Sequence, residues 1–248
     1  MKYLFKLLPL FVFSSMAFAN TSTLGINTCQ DLQNIGQNLS AHFVLNQDID
    51  CEGFQWIPIA GTFRGTLDGQ NHIISNLMLQ KNINGSDRAD WHYIGMFTEM
   101  QRAVVKNLQI KNSRLSVVTM NPAKISKTDT ARIVKQIKSA MFQKSNPPTN
   151  AVVGGIIGVI AESSTFENIV VQNANVSLDT LGTFGFVVGA AKNSQFNNVQ
   201  IVEGLIDSGS GSKIHVPIAL HAFAAGYLLN TEKNEGDIMI LIPTNLAQ

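Results

Sequence analysis

The 248-residue chain carries 18 Lys+Arg against 17 Asp+Glu, is 45% hydrophobic and only 14% charged. A near-neutral balance excludes a general nucleic-acid binder, which needs a cationic surplus to displace counterions. Sparse charge with abundant Val, Ile, Phe, Gly and Asn fits a large β core with many turns, not a helical bundle.

The chain begins with Lys2 and Lys6, an apolar run from Leu7 to Phe13, and the small-x-small triplet Ala17-Phe18-Ala19. This reads as a signal peptide (1–19) cut before Asn20. The run is shorter than the roughly 20 residues a membrane-crossing helix needs. Without Lys2 and Lys6 the balance is 16 against 17, a net −1. No later segment is long and apolar enough to cross a membrane, and no cysteine follows the cut to carry a lipid. The expectation is an exported, soluble protein: periplasmic, cell-surface or extracellular.

Residues 20–60 read as an N-terminal cap with a first coil. Thr28 is placed to cap a helix starting at Cys29. Leu32, Ile35 and Leu39 recur at helical spacing and give it one apolar stripe. Such a helix suits the open end of a stack, where strand edges and core need cover. Cys29 and Cys51 are the two cysteines of the chain. In an exported protein such a pair usually bridges, and a loop of that size stabilises by about 3 kcal/mol. The alternative is two buried free thiols. No His/Cys spacing supports a metal site, and no cofactor is expected.

Residues 61–208 contain an internal repeat. Asn76, Asn107, Asn168 and Asn198 each have apolar residues at −2, +1 and +3, at intervals of 31, 61 and 30 residues. Positions +1 and +3 share a strand face, and the asparagine falls where the phase changes, at a bend. Glycine-bracketed apolar runs precede most of these segments: Ile94–Phe97, Val153–Gly158 and Phe184–Gly189. Glycine there lets neighbouring coils approach closely. A unit of two short strands cannot bury its apolar face alone, so stacked units, a parallel β-helix, are the expected fold, and ordinary hairpins in a sandwich are the alternative that the phase shared at four sites disfavours. The stacked asparagines would form a structural ladder of amides; asparagine also tolerates left-handed backbone at turns.

The segment Phe63-Arg64-Gly65-Thr66-Leu67-Asp68-Gly69-Gln70-Asn71-His72-Ile73-Ile74-Ser75-Asn76-Leu77 resembles the first repeat of bacterial surface proteins with GLUG-type repeats, F-x-G-x-x-D-G-x-x-H-x-I-x-N-L. Asp31–Ile35, Phe43–Asp50 and Trp56–Ile59 are similar to that family's short capping helix, Y-x-L-x-x-D-I-D strand and W-x-P-I-G turn, with Ala60 replacing the glycine. The resemblance covers 28–120 well and 150–205 moderately; Met96-Phe97-Thr98 and Ile156-Ile157-Gly158 depart from its Leu-Phe-Gly runs. It implies a right-handed parallel β-helix of the kind found in adhesins, surface proteins and accessory regions of secreted proteases, with no common catalytic residues.

Residues 121–150 interrupt the repeat, bracketed by Asn121-Pro122 and Asn146-Pro147-Pro148. Inside, Ile133, Ile137 and Met141 fall on one helical stripe. Lys124, Lys127, Arg132, Lys135, Lys138 and Lys144 face the lone acid Asp129, a net +5. The sharper reading is a basic helix for an anionic partner. The plainer one is a helix packed on the stack's flank with its lysines solvated. Residues 209–248 read as one more coil or a cap: a Gly/Ser loop, an apolar Ala-rich stretch, and a strand over 237–242.

Motifs for chemistry are scarce. His42, His72, His92, His215 and His221 show no ligand spacing. His72 reads as a turn residue, His215 and His221 as packing. Asp48, Asp50 and Asp68 are the best acids for a polysaccharide-cleaving enzyme, but acids beside turns usually serve the turn. The expected function is therefore a non-catalytic binding or adhesion-like module for a surface protein or glycan. A polysaccharide-active β-helix enzyme and a structural accessory subunit are the alternatives.

Overall fold

The computed structural model describes residues 23–84, 90–120, 150–178 and 182–207, scattered positions between 132 and 147, and backbone at 213–220, 228–229 and 240–241. The expected signal peptide lies outside the described residues.

The chain runs as successive passes. The first holds β1 (Thr23–Ile26), a helix α1 (Cys29–Gln33), a 3-10 turn (Asn34–Gln37), β2 (His42–Leu45) and β3 (Ile49–Asp50). The next holds β4 (Ile59–Phe63), β5 (Thr66–Asp68), β6 (Ile73–Ser75) and β7 (Met78–Asn84). Then come β8 (Trp91–Ile94), β9 (Phe97–Gln101), β10 (Val104–Lys111) and β11 (Arg114–Met120). After the 121–150 segment follow β12 (Ala151–Gly155), β13 (Gly158–Glu162), β14 (Thr165–Gln172) and β15 (Asn175–Leu178). The last full pass holds β16 (Gly182–Gly185), β17 (Val188–Lys192) and β18 (Gln195–Asp207). β19 (Lys213–Leu220), β20 (Leu228–Leu229) and β21 (Ile240–Leu241) end the chain.

Equivalent strands pair in parallel from pass to pass. β4, β9, β13, β17 and β20 form one sheet, and β8, β12 and β16 a second, which β21 joins antiparallel. The largest sheet stacks β1, β2, β5, β10, β14 and β18, then continues through β15 and β11 to β7. The protein is thus mostly β, built on long parallel sheets. One buried cluster joins all three: Phe63 and Phe97, Leu67, Val105 and Phe166, Leu79 and Leu115, Ile94 and Val152. Alternation supplies it, because period-2 strands send every second side chain inward. At the far end β19 turns back antiparallel on β18, covering an edge that another pass would otherwise extend.

The cap forms as its residues dictate. Thr28 Oγ1 accepts from the Asp31 N–H (3.1 Å), and the Asp31 carboxylate accepts from the Thr28 N–H (3.1 Å), a reciprocal capping box. Leu32 and Ile35 are fully buried and Leu39 packs against the core. The helix is shorter than its stripe, because after Gln33 the chain tightens into the 3-10 turn. Cys29 and Cys51 form a disulfide, fastening the cap to the end of β3. Reducing it should lower unfolding free energy by about 3 kcal/mol, read as separated denaturation curves for oxidised and reduced protein; superimposed curves would show the bond adds nothing.

Candidate binding surfaces

The polar side chains at the corners form ladders. Asn107, Asn168 and Asn198 have φ of 51°, 52° and 51°, left-handed values that asparagine adopts more readily than most residues. Asn198 Nδ2 donates to Asn168 Oδ1 (2.9 Å), Asn168 Nδ2 to Asn107 Oδ1 (3.0 Å), and Asn107 Nδ2 to Asp68 Oδ1 (3.1 Å). The amides run head to tail into a carboxylate, each donating one bond along the column.

Asn76 does not belong to this column, which corrects the four-asparagine ladder expected from the repeat. Its N–H donates to Lys111 O (3.0 Å), so it stacks beneath Asn112. Asn112 in turn accepts from Asn173 Nδ2 (3.3 Å). Asn76 Nδ2 donates to Asp50 Oδ1 (2.8 Å). The partner of Asn107 in the earlier pass is Asn71, whose N–H donates to Asn107 O (2.7 Å). The later passes each have three left-handed corners five residues apart (Arg102, Asn107 and Asn112; Ser163, Asn168 and Asn173; Asn193, Asn198 and Glu203), and all carry an apolar residue at −2 and +3. Position +1 is Leu108, Ile169 and Val199 after the Asn107-column corner but Ser113, Ala174 and Gly204 after the Asn112-column corner; Asn76, followed by Leu77, matches the first column in sequence and belongs to the second in space.

The three candidate acids serve turns. Asp48 Oδ1 accepts from the Ile73 N–H (2.9 Å) and contacts His72 Nδ1 (3.0 Å). Asp50 Oδ1 accepts from Asn76 and from the Glu52 N–H (3.0 Å). Asp68 accepts from the Gln70 N–H (3.0 Å) and Asn107, and pairs with Lys106 (3.2 Å). The Ile73 amide holds Asp48, and the Asn76 amide holds Asp50, below the ordinary carboxylate range. Partial burial raises Asp68, but its hydrogen bonds and Lys106 outweigh that and the net shift is downward. General acid catalysis on a glycoside needs one carboxyl pushed the other way, so that it keeps its proton near neutrality. Among the described residues no group of His, Cys, Asp or Glu could hold a metal ion.

These depressed values set a pH dependence. The stability they contribute is present above the unfolded pKa, about 3.9, and is lost as pH falls through the folded values. Melting temperature should hold from pH 7 to about 5 and decline below about 4. Asp68→Asn should flatten part of that decline; identical slopes in both proteins would dissociate Asp68 from it.

Four of the five exposed large apolar side chains among the described residues lie on or beside β7 and β11, and the fifth, Leu24, is on β1. Ile57 is 70% exposed, Met78 50%, Met120 56% and Val118 44%. Met78 and Val118 lie on the outward rows of the neighbouring strands β7 and β11. Ile57 and Met78 border a groove of about 510 Å³, also lined by Phe54, Trp56, Gln80 and Asn82. None of the lining residues is ionised. No feature of the sequence foretold it, because the groove depends on which strand lacks a neighbour.

In the described part of the basic segment two cations face solvent and apolar side chains meet the stack. Arg132, Lys135, Gln136, Ser139 and Ala140 are helical, with Arg132 and Lys135 exposed and Ala140 buried. Phe142 packs on a second, smaller apolar cluster of Ala151, Val153, Val159, Ile160 and Ala190. Trp91 Nε1 donates to Ser145 O (2.8 Å). Phe142 therefore covers part of the outer face of β12, β13 and β17. Lys124, Lys127, Lys138 and Lys144 lie outside the described residues.

Fold and surface together define a β-rich, disulfide-fastened protein of parallel stacked passes. No family model matches the chain, and no curated protein does. A solved structure that does match is described as a "putative immunoglobulin A1 protease" from Bacteroides ovatus. It is 13% identical over 87% of this chain and 85% of that one, with a TM-score of 0.30, too slight a likeness to argue from.

Proposed function

We propose that this chain is a non-catalytic binding module of an exported bacterial protein, adhesion-like in use. Its three parallel sheets close around the shared core as a right-handed parallel β-helix of GLUG-like repeats. One observation carries the functional reading. Asp48, Asp50 and Asp68 are held as acceptors by turn donors, whereas apolar side chains lie exposed beside an uncharged groove. Exposed apolar surface bordered by amides suits contact with another molecule. The disulfide, and the absence among the described residues of a helix long and apolar enough to cross a membrane, fit export.

The test uses the chain from Asn20 onward. Arrays of surface proteins and glycans should return saturable binding, and a polysaccharide panel should release no reducing ends. Turnover that disappears in Asp68→Asn would replace this reading with the enzymatic one.

A further inference from the structure

The largest sheet ends at β7, which pairs with β11 on one side and, among the described residues, with no strand on the other. The preceding pass supplies no rung there. After β3 the chain leaves as the 51–58 loop, which is tied elsewhere. Phe54 N–H donates to Cys51 O, and Ile57 exchanges two hydrogen bonds with the Gln33 side chain on the cap. The 510 Å³ groove is the space between this loop and β7.

Backbone polarity follows from the ladder. Leu77 O accepts from Arg114 N (2.9 Å). In a parallel pair each residue directs its N–H and C=O to the same side. Leu77, Leu79, Lys81 and Ile83 therefore face β11, and Met78, Gln80 and Asn82 turn theirs toward the open edge. Those three residues line the groove. The opposite wall holds Trp56, 7% exposed, whose indole N–H is buried without an acceptor. Natural edges are usually short, charged, proline-bearing or covered. This strand is seven residues long, with Lys81 its one charge and no proline.

We propose that this edge is a strand-addition site that takes an extended polypeptide segment of a partner protein, pairing with Met78, Gln80 and Asn82 while its side chains meet Ile57, Phe54 and Met78. Main-chain bonds would supply affinity and alternate side chains selectivity. What is missing is one rung of a peptide ladder, whose alternating donors and acceptors a sugar chain's hydroxyls do not match in spacing. A second copy fits poorly, because its own β7 edge carries the same 51–58 wall where the first copy's would have to sit. The proposal rests on the binding-module reading and specifies where and how that binding occurs.

The probe is a capped heptapeptide of alternating threonine and valine, added at millimolar concentration to the chain from Asn20 onward. Hydrogen exchange at Met78, Gln80 and Asn82 should slow about tenfold or more on saturation, the effect of hydrogen bonds of ordinary strength. N-methylation of alternate peptide amides should abolish protection in one register and spare it in the other. Gln80→Pro removes only an outward N–H, a change that edge strands tolerate. It should weaken binding about tenfold while melting within a few degrees of the parent, whereas Gln80→Ala should bind within about threefold. The inference is overturned if the three amides stay unprotected, if both methylated registers bind equally, or if Gln80→Ala loses binding as Gln80→Pro does. Protection by cellohexaose in place of the peptide, or by raising protein concentration alone, also overturns it. Array hits that bind Gln80→Pro undiminished would remove this site and leave the binding-module reading standing.

Discussion

Gly155→Ala should destabilise the protein by more than about 3 kcal/mol, beyond the usual range for overpacking, and depress the yield of folded protein. A methyl carbon built on Gly155 would collide with the Gly158 carbonyl oxygen of its own pass and lie 2.5 Å from Gly189 N and 2.5 Å from Val188 C, both backbone atoms of the next pass. Main chain in a parallel ladder cannot yield by itself; β12 and β13 would have to separate from β16 and β17. Gly158, three residues on in the same run, is the control. There the nearest neighbour is Met100 Sδ at 2.6 Å, the end of a flexible side chain, so Gly158→Ala should cost about 1 kcal/mol. Equal penalties in chemical denaturation would show that the backbone approach at Gly155 is not what requires glycine.

The same contrast marks how far the sequence could be read. Glycine-bracketed runs and bends at Asn107, Asn168 and Asn198 were legible because they are local: a backbone angle or a close approach restricts residue choice at the position itself. Register between passes is not local. The turn at Asp68–Asn71 inserts residues before Asn76, so a pattern shared by neighbouring corners was aligned to the wrong one. The open edge of β7 was illegible for a related reason, since an unpaired strand reads like any other until its neighbours are known. The basic segment showed a third case. Its charge is conspicuous in the sequence, while the contacts with the stack among its described residues include Phe142, one aromatic outside the predicted stripe, and Ser145 O.

The second large effect is expected in the core column. Phe166 is fully buried, stacked on Phe196 at 5.0 Å with the rings 13° apart, and in register with Val105 of the preceding pass. Phe166→Ala should lose about 3–5 kcal/mol, combining lost transfer energy with the cavity left behind. Phe166→Leu keeps much of the volume and should lose less than about 1.5 kcal/mol. The form of the transition matters as much as its midpoint. In a stack where each pass touches only its neighbours, stability is close to a sum of pass and interface terms. Weakening the interface between the last two full passes should then uncouple them. Guanidinium unfolding of Phe166→Ala should separate into two phases. The segment from β16 onward should melt first, because the disulfide and cap fasten only the 23–51 end. A single transition, shifted but unbroken, would mean that the passes unfold as one cooperative unit and that their stabilities are not separable.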